Sequence, residues 1–420
     1  MRALTVRHAA PPLLVAAALL AWACSGVRPG APARDAGWQP VGASSVPGKP
    51  DLCEDRREAS RLPHGDWDRI ALRRLARCDD SRETADRATQ VFYLPGTHMN
   101  GSLAVLDERH EFRLYLARRG VVVWSLDYRT HFVPPETNGL DYMSGWTWQV
   151  FLADAAAALE FVRRETTGPI VVAGFSLGAS FASALAGNEK APLVMSGDVL
   201  GSGGERAAHG IEHDRHHPLA GLALLDGVAP GMLPAAGASR AMPVAIDVGS
   251  SRLSFARRQA LLAAVIADAH APSTNREFST VGHELAHLLY TSATFGGRGG
   301  LSDALHGRAD IAHAARLLAS YDRFWPGAAT RSAAVAGDAA EPASPALITL
   351  PAFAVTSTNM GEGFRSAVEA SARRLGGDTA TIIVLPGWGH LDVLVGTSAR
   401  DQVFAPFLRW LRALSSPSAP

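Results

Sequence analysis

The sequence predicts a mostly parallel α/β sheet with helices on both faces, interrupted by one large insertion. Short apolar runs alternate with segments of helical apolar spacing, which is the rhythm of strands joined by crossover helices. The runs are continuously apolar rather than alternating, as expected of strands buried on both faces. Six such runs occur, at residues 90–94, 121–126, 170–173, 222–225, 350–355 and 381–385.

The helices predicted between these strands have apolar residues at helical spacing. They cover residues 111–119, 146–165, 180–186 and 404–414. The alternation of strands and helices is interrupted at residues 227–345, a stretch too long for a loop in a compact domain. We interpret it as an inserted cap or lid, with helices at 255–268, 285–291 and 311–321, so that the core comprises residues 51–226 and 346–414. Between residues 51 and 88 we expect no strong strand, only a short helix from Trp67 to Leu75.

The chain begins with a segment typical of export. A basic lead at Arg2 and Arg7 precedes an apolar run, small residues and Cys24. This resembles a bacterial lipoprotein signal, which implies a signal peptide over residues 1–24 and a lipid anchor on Cys24. We therefore expect an exported bacterial protein, either a cell-envelope lipoprotein or a secreted one. Residues 25–50 are interpreted as a flexible linker and residues 415–420 as a disordered tail.

Charge and cysteine content narrow the possible partners and the compartment. Lys plus Arg and Asp plus Glu both number 40 in 420 residues, so the charge balance gives no indication of a nucleic-acid partner. With Cys24 lipidated, Cys53 and Cys78 remain. In an oxidising compartment such a pair most simply forms a disulfide, the alternative being two free thiols.

A candidate nucleophile stands between a predicted strand and a predicted helix. The pentapeptide Gly174-Phe175-Ser176-Leu177-Gly178 follows the apolar run 170–173. A serine on a sharp strand-to-helix turn needs small flanking residues, which the two glycines supply. The helix N-terminus would favour negative charge developing beside Ser176.

The candidate base lies after the last predicted strand. His390, in Gly389-His390-Leu391-Asp392, follows the apolar run 381–385. With these residues the sequence from Gln90 to Leu414 resembles an α/β-hydrolase, and the His-Leu-Asp run resembles the catalytic-histidine loop of acid lipases. The resemblance implies a serine, an acid and then a histidine in chain order. We interpret Asp392 as a loop or capping residue.

Two positions compete for the catalytic acid. After the penultimate strand, where the family usually carries its acid, the nearest residue is the uncharged Asn359, and Glu362 lies a little further on. Some lipases place the acid after an earlier strand, and Asp226 follows the run 222–225. We favour Asp226 over Glu362, with a turn aspartate as the structural alternative.

The oxyanion hole requires two backbone N–H groups. The residue after the nucleophile, Leu177, supplies one. The turn after the first parallel strand supplies the other, and we assign it to Thr97 in preference to His98. Family members often carry His-Gly at this turn, where this chain has Pro95-Gly96.

A competing metal motif lies in the insertion. His283-Glu284-Leu285-Ala286-His287 has the spacing of a zinc metallopeptidase, and His306 would be a possible third ligand. We expect no metal here and no cofactor, with His283 and His287 as polar positions on an amphipathic helix. A second group of histidines is interpreted as a solvated loop: His209, His213, His216 and His217.

Together these features predict an exported serine hydrolase, most simply a carboxylic-ester hydrolase acting through an acyl-enzyme on Ser176. The cap and the aromatic residues Tyr142, Trp146 and Trp148 suggest a small-molecule ester with an apolar acyl or aryl group. Alternatives within this chemistry are a peptidase, a thioesterase and a lactonase. Outside it stand the zinc metallopeptidase and a non-catalytic surface protein on a hydrolase scaffold.

Overall fold

A nine-stranded sheet forms the centre of the structure. The computed structural model describes residues 37–63, 65–188, 218–232, 243–248, 253–291, 308–330 and 350–415. The sheet strands run in the spatial order β1-β2-β3-β5-β4-β6-β7-β10-β11. Their bounds are β1 Trp38–Val46, β2 Lys49–Ser60, β3 Arg69–Arg77, β4 Gln90–Leu94, β5 Val122–Asp127, β6 Ile170–Phe175, β7 Leu219–Leu225, β10 Ala352–Ser357 and β11 Thr381–Leu385. A separate two-stranded ribbon pairs β8 Ala245–Asp247 with β9 Phe324–Pro326.

Helices cover both faces of this sheet, which separates two apolar core layers. The helices described are α1 Arg82–Arg87, α2 Phe112–Ala117, α3 Trp148–Glu165, α4 Leu177–Asn188, α5 Phe255–Ala267, α6 Val281–Thr291, α7 Ile311–Ala319, α8 Glu362–Gly376, α9 Asp392–Val395 and α10 Ala405–Ser415. Within the described ranges, no helix combines the length and the apolar character needed to cross a membrane.

The predicted parallel sheet is confirmed. The six strands expected from the sequence are β4, β5, β6, β7, β10 and β11, and they pair with one another in parallel. Every residue of β4, β5, β6 and β10 is buried, which explains why these strands are continuously apolar in sequence. Because the strands are parallel, the residues that follow them meet at one edge of the sheet.

The N-terminal part of the core differs from the prediction. Residues 38–77 form three antiparallel strands, so the helix expected at Trp67–Leu75 is wrong, and so is the flexible linker over 38–50. Strand β3 buries apolar residues on both faces, with Leu72 in one core layer and Leu75 in the other, which imitates helical spacing. Its arginines are stabilised by cross-strand ion pairs, as in Arg73 Nη1 to Glu54 Oε1 at 2.9 Å.

A disulfide joins Cys53 of β2 to Cys78, which directly follows β3. This is the pairing that the cysteine count predicted. Because Cys78 N also donates to Asp51 O at 3.0 Å, the bond lies where β2 and β3 are already paired. It therefore links the two antiparallel strands next to the parallel part of the sheet.

Between β7 and β10 the described residues include three helices, close to the helices predicted there. Helices α5, α6 and α7 contact one another and carry apolar residues into one of the two core layers. The ribbon of β8 and β9 belongs to the same segment. Several earlier interpretations fall outside the described residues: Cys24 with the signal peptide, His306, the histidines from His209 to His217, and the tail after Ser415.

Candidate active site

Ser176 occupies a tight turn between β6 and α4. Its backbone has φ +55°, a left-handed conformation unusual for a residue with a side chain. A Cβ on Gly174 would lie 2.1 Å from Gly178 O, and one on Gly178 would lie 2.0 Å from Leu94 O. Only glycine fits at these two positions, which is the role that the sequence predicted for them.

Backbone strain in the described part of the chain is concentrated around this turn. Three non-glycine residues have positive φ there: His98 at +64°, Ser176 at +55° and Asp226 at +48°. They follow β4, β6 and β7, which are neighbours in the sheet. Strained residues of this kind persist where the surrounding structure holds them in place, and they cluster at functional sites.

His390 and Asp226 are joined by a hydrogen bond. The imidazole Nδ1 donates to Asp226 Oδ2 at 2.6 Å, and both side chains are buried. Donation from Nδ1 leaves the lone pair of neutral imidazole on Nε2, the nitrogen suited to act as a base. The ring of His390 stacks on Phe175, the residue before Ser176, with centroids 4.6 Å apart.

Asp226 is fully buried and held by Ser357 at the end of β10. Ser357 N donates to Asp226 Oδ1 at 2.6 Å, and Ser357 Oγ donates to Oδ2 at 2.8 Å. The carboxylate therefore accepts three hydrogen bonds, which compensate for its removal from water. Ser357 was not predicted from the sequence; its signal was a hydroxyl residue at the end of a buried strand.

The alternative acid Glu362 lies apart from His390. Its side chain is 73% exposed in the first turn of α8, where it pairs with Arg365. That pairing lowers the pKa of Glu362 from its ordinary value. The loop of His390 is instead tied by Asn359, whose Nδ2 donates to Gly387 O at 3.0 Å. Asp392 caps this loop as predicted, accepting from Gly389 N at 2.7 Å.

The two assigned oxyanion donors border Ser176. Thr97 lines the same cavity as Ser176 and His390. Leu177 is the first residue of α4, where a backbone N–H has no acceptor within the helix. A Cβ on Gly96 would lie 3.0 Å from Ser176 Cβ, so the turn after β4 runs directly beside the serine.

The turn after β4 is fixed to the inserted segment through His98. His98 Nδ1 contacts Asp322 O at 3.0 Å, and Asp322 N donates to His98 O at 2.7 Å. Burial lowers the pKa of His98 to about 4, so its imidazole is neutral at neutral pH. Asp322 also accepts from Thr130 Oγ1 at 2.8 Å. The conformation of the predicted oxyanion turn therefore depends on the insertion.

A cavity of about 370 Å³ opens onto Ser176 and His390. Its far walls come from α5, α6, α7 and the residues just before α5, and they are largely aliphatic, with Leu253, Leu261, Leu262, Leu285, Leu288, Leu289 and Leu318. Tyr142, Trp146 and Trp148, from which we predicted a site for an apolar acyl or aryl group, are not among its lining residues. Trp148 instead stacks on Phe181 in the core, with centroids 4.1 Å apart. The cavity is apolar as expected, but leucines line it instead of the predicted aromatic residues.

The His-Glu-x-x-His run lies on α6, as the spacing required. Glu284 is engaged by Ser273 Oγ, which donates to Oε2 at 2.5 Å. The ring of Phe278 packs against both His283 and His287, with centroids 5.5 and 5.1 Å apart. The other face of α6 presents leucines to the cavity. In the described part of the chain, the group of three residues spaced as metal ligands is a different one, Asp107, His110 and His313.

Comparison with solved structures identifies the fold. The chain matches a Sulfolobus solfataricus protein assigned as a lipase, with a TM-score of 0.63 and 21% identity over 90% of this chain and 99% of the other. Matches also include a monoglyceride lipase of Saccharomyces cerevisiae (TM-score 0.46, 10% identity, 83% and 93% covered) and a carboxyl esterase of Bacillus coagulans (0.41, 13%, 91% and 100%). No family model and no curated protein matches the sequence. The fold is that of the α/β-hydrolases.

Proposed function

We propose that the protein is a serine hydrolase that cleaves carboxylic esters through an acyl-enzyme on Ser176. The observation that carries the proposal is the 2.6 Å bond from His390 Nδ1 to Asp226, in a cavity that Ser176 also lines. A buried carboxylate that fixes the imidazole tautomer is what a serine needs in order to lose its proton to Nε2. The strained turn at Ser176 further supports a functional role for this serine.

The reaction follows from these positions. His390 Nε2 removes the Ser176 proton while Oγ attacks the ester carbonyl carbon, and Asp226 stabilises the resulting imidazolium. The N–H groups of Leu177 and Thr97 bind the oxyanion, each such donor contributing about 3 kcal/mol in the transition state. The imidazolium then protonates the leaving alcohol. In the second half, His390 deprotonates the water that attacks the acyl carbon, and the imidazolium then returns that proton to Ser176 Oγ as the bond to the acyl group breaks and the acid leaves.

The aliphatic lining supports esters with an apolar acyl group, and helices α5, α6 and α7 act as a cap over that group. A cavity of about 370 Å³ lies near the lower end of the range for small-molecule sites. A panel of p-nitrophenyl esters of increasing acyl length measures this preference. We expect kcat/KM to rise with chain length and then to fall once the acyl group exceeds the cavity.

Labelling with a fluorophosphonate probe tests the proposal directly. The folded protein should be labelled on Ser176, and Ser176→Ala should lose both labelling and ester hydrolysis. Folded protein that is not labelled and hydrolyses no ester would favour a non-catalytic scaffold and overturn the serine mechanism. Activity that survives Ser176→Ala and disappears with a chelator would instead favour the zinc peptidase with His283 and His287.

Export is part of the same proposal. The disulfide between Cys53 and Cys78 supports it, because such bonds persist mainly in oxidising compartments. An anchor on Cys24 would place the enzyme at a membrane surface. Metabolic labelling with a radioactive fatty acid in a bacterial host tests this: the wild type should incorporate label and Cys24→Ser should not. Unlabelled wild-type protein in the culture medium would instead show simple secretion.

A further inference from the structure

Arg258 is a buried cation in the wall of the active-site cavity. It extends from α5 and is only 7% exposed. Its Nη2 donates to Leu318 O at 2.9 Å, which is a neutral acceptor. Its Nη1 is also buried and has no hydrogen-bond partner among the residues described. In the same part of the chain, Arg258 forms no ion pair with a carboxylate.

An uncompensated guanidinium in an apolar environment is unfavourable, because its charge is removed from water without an opposite charge in return. Burial accordingly lowers the pKa of Arg258 from its ordinary value. The ring of Tyr321, whose centroid lies 6.0 Å from Arg258 Cζ, compensates only part of this cost. A charged residue at the wall of a binding cavity becomes stabilised when the ligand brings the missing anion.

The other polar groups of the cavity do not supply that anion. Asp247 also lines the cavity and its charge raises the pKa of Arg258, but it forms no ion pair with Arg258: its carboxylate is half exposed and accepts from Arg323 at 3.0 and 3.1 Å. His98 is neutral, since burial lowers its pKa to about 4. Thr330 adds a hydroxyl whose oxygen is buried without a hydrogen-bond partner in the described ranges. Two residues that line the cavity, Arg258 and Thr330, thus each carry a buried polar atom without a hydrogen-bond partner in the described ranges, and the described walls hold no carboxylate apart from that of Asp247.

We propose that the cavity binds esters of aliphatic dicarboxylic acids, with one carboxyl group esterified and the other free. The free carboxylate pairs with Arg258, and the methylene chain contacts the leucines of α5, α6 and α7. The esterified carbonyl then lies at Ser176. This inference rests on the proposed esterase function and specifies its substrate class.

The test compares two esters of equal chain length, mono-p-nitrophenyl adipate and p-nitrophenyl hexanoate. The readout is the ratio of their kcat/KM values, adipate over hexanoate. In Arg258→Met this ratio should fall about tenfold or more, because the buried partner of the carboxylate is lost. Arg258→Lys, which keeps the charge but loses the planar fork, should give an intermediate ratio.

Arg257→Met is the matched control. Arg257 is the neighbouring residue on α5, its side chain is 57% exposed, and it is not among the cavity-lining residues. In Arg257→Met the adipate-to-hexanoate ratio of kcat/KM should stay within about twofold of the wild-type ratio, as expected for an exposed surface substitution. An equal fall in Arg257→Met would show a general electrostatic effect and would overturn the inference.

The failure of this inference is distinguishable from failure of the proposed function. Probe labelling of Ser176 and hydrolysis of the hexanoate ester, with an unchanged ratio in Arg258→Met, would overturn only the dicarboxylate assignment. Absence of labelling would overturn both. If Arg258→Met does not fold, the wild type decides: the adipate ester must be cleaved with a kcat/KM at least equal to that of the hexanoate ester.

Discussion

Asp226 and His390 are joined by a 2.6 Å hydrogen bond although they lie 164 positions apart in the sequence. Asp226 follows β7 and His390 follows β11, and β10 lies between these two strands. The histidine loop therefore reaches back across the end of β10. Ser357, at that end, fills the gap by holding the carboxylate with its N–H and its hydroxyl.

The first prediction separates the two acids that the sequence left open. Asp226→Asn should lower kcat by about 10³- to 10⁴-fold, because a neutral amide no longer fixes the tautomer or stabilises the imidazolium. Glu362→Gln should leave kcat within about twofold, since Glu362 is exposed and paired with Arg365. Steady-state hydrolysis of p-nitrophenyl esters measures both. The assignment is wrong if Glu362→Gln has the larger effect.

The second prediction concerns Ser357 as a positioning residue. Ser357→Ala removes one hydrogen bond to Asp226 Oδ2 and should cost about 1–2 kcal/mol in the transition state. We expect kcat to fall roughly 5- to 30-fold with little change in KM, and Ser357→Thr to recover part of the loss. Ser366→Ala, an exposed serine on α8, serves as control. A change confined to KM would contradict the positioning role.

The third prediction concerns the disulfide between Cys53 and Cys78, which closes a loop with a sequence separation of 25. Replacing both cysteines by serine should lower the free energy of unfolding by about 3 kcal/mol, mainly by freeing the unfolded chain. Urea denaturation measures this. Neither cysteine lines the active-site cavity, so probe labelling per folded molecule should be retained. An unchanged urea midpoint would show that the bond adds no stability.

The fourth prediction is a pH dependence of stability. The pKa of His98 is about 4 in the folded protein against an ordinary 6.5, because burial disfavours the charged ring. The unfolded state therefore binds a proton at His98 more tightly than the folded state does. The stability that the neutral His98 contributes is complete above pH 6.5 and is lost as the pH falls towards 4. Between about pH 7.5 and about pH 5 the loss from His98 should be about 2 kcal/mol.

His98→Asn tests this assignment, since asparagine tolerates the left-handed backbone at this position. The variant should lose less stability over the same pH interval, measured by urea unfolding at both values. His270→Asn, an exposed histidine, is the control and should retain the wild-type difference. Identical pH dependence in the wild type and in His98→Asn would rule out His98 as the titrating group.

The parallel sheet and the serine turn could be predicted from the sequence because each is a local pattern. A buried strand is a run of apolar residues, and the turn at Ser176 needs glycines at fixed positions. The antiparallel strands were not predicted, because β3 buries Leu72 and Leu75 on opposite faces and also carries arginines stabilised by ion pairs. Those ion pairs join residues that are distant in sequence, so a local sequence pattern cannot predict them.

The choice of acid could not be decided from sequence because it depends on the order of strands in space. The pairing of β7, β10 and β11 determines which strand end faces His390. The local sequence around Asp226 or Glu362 carries no information about that pairing. The same holds for Arg258. One arginine among many in sequence becomes a distinctive group only where the fold surrounds it with leucines.

The segment between β7 and β10 divides the residues of the proposed catalytic site between two stretches of chain. Ser176 and Asp226 precede it, whereas Ser357 and His390 follow it. A backbone cut within this segment would therefore yield two fragments, neither of which contains both the proposed nucleophile and its proposed base. If the proposed hydrolysis holds, it would return only when β10 docks again beside β7, and the protein would then be a candidate split reporter for association of two fused proteins.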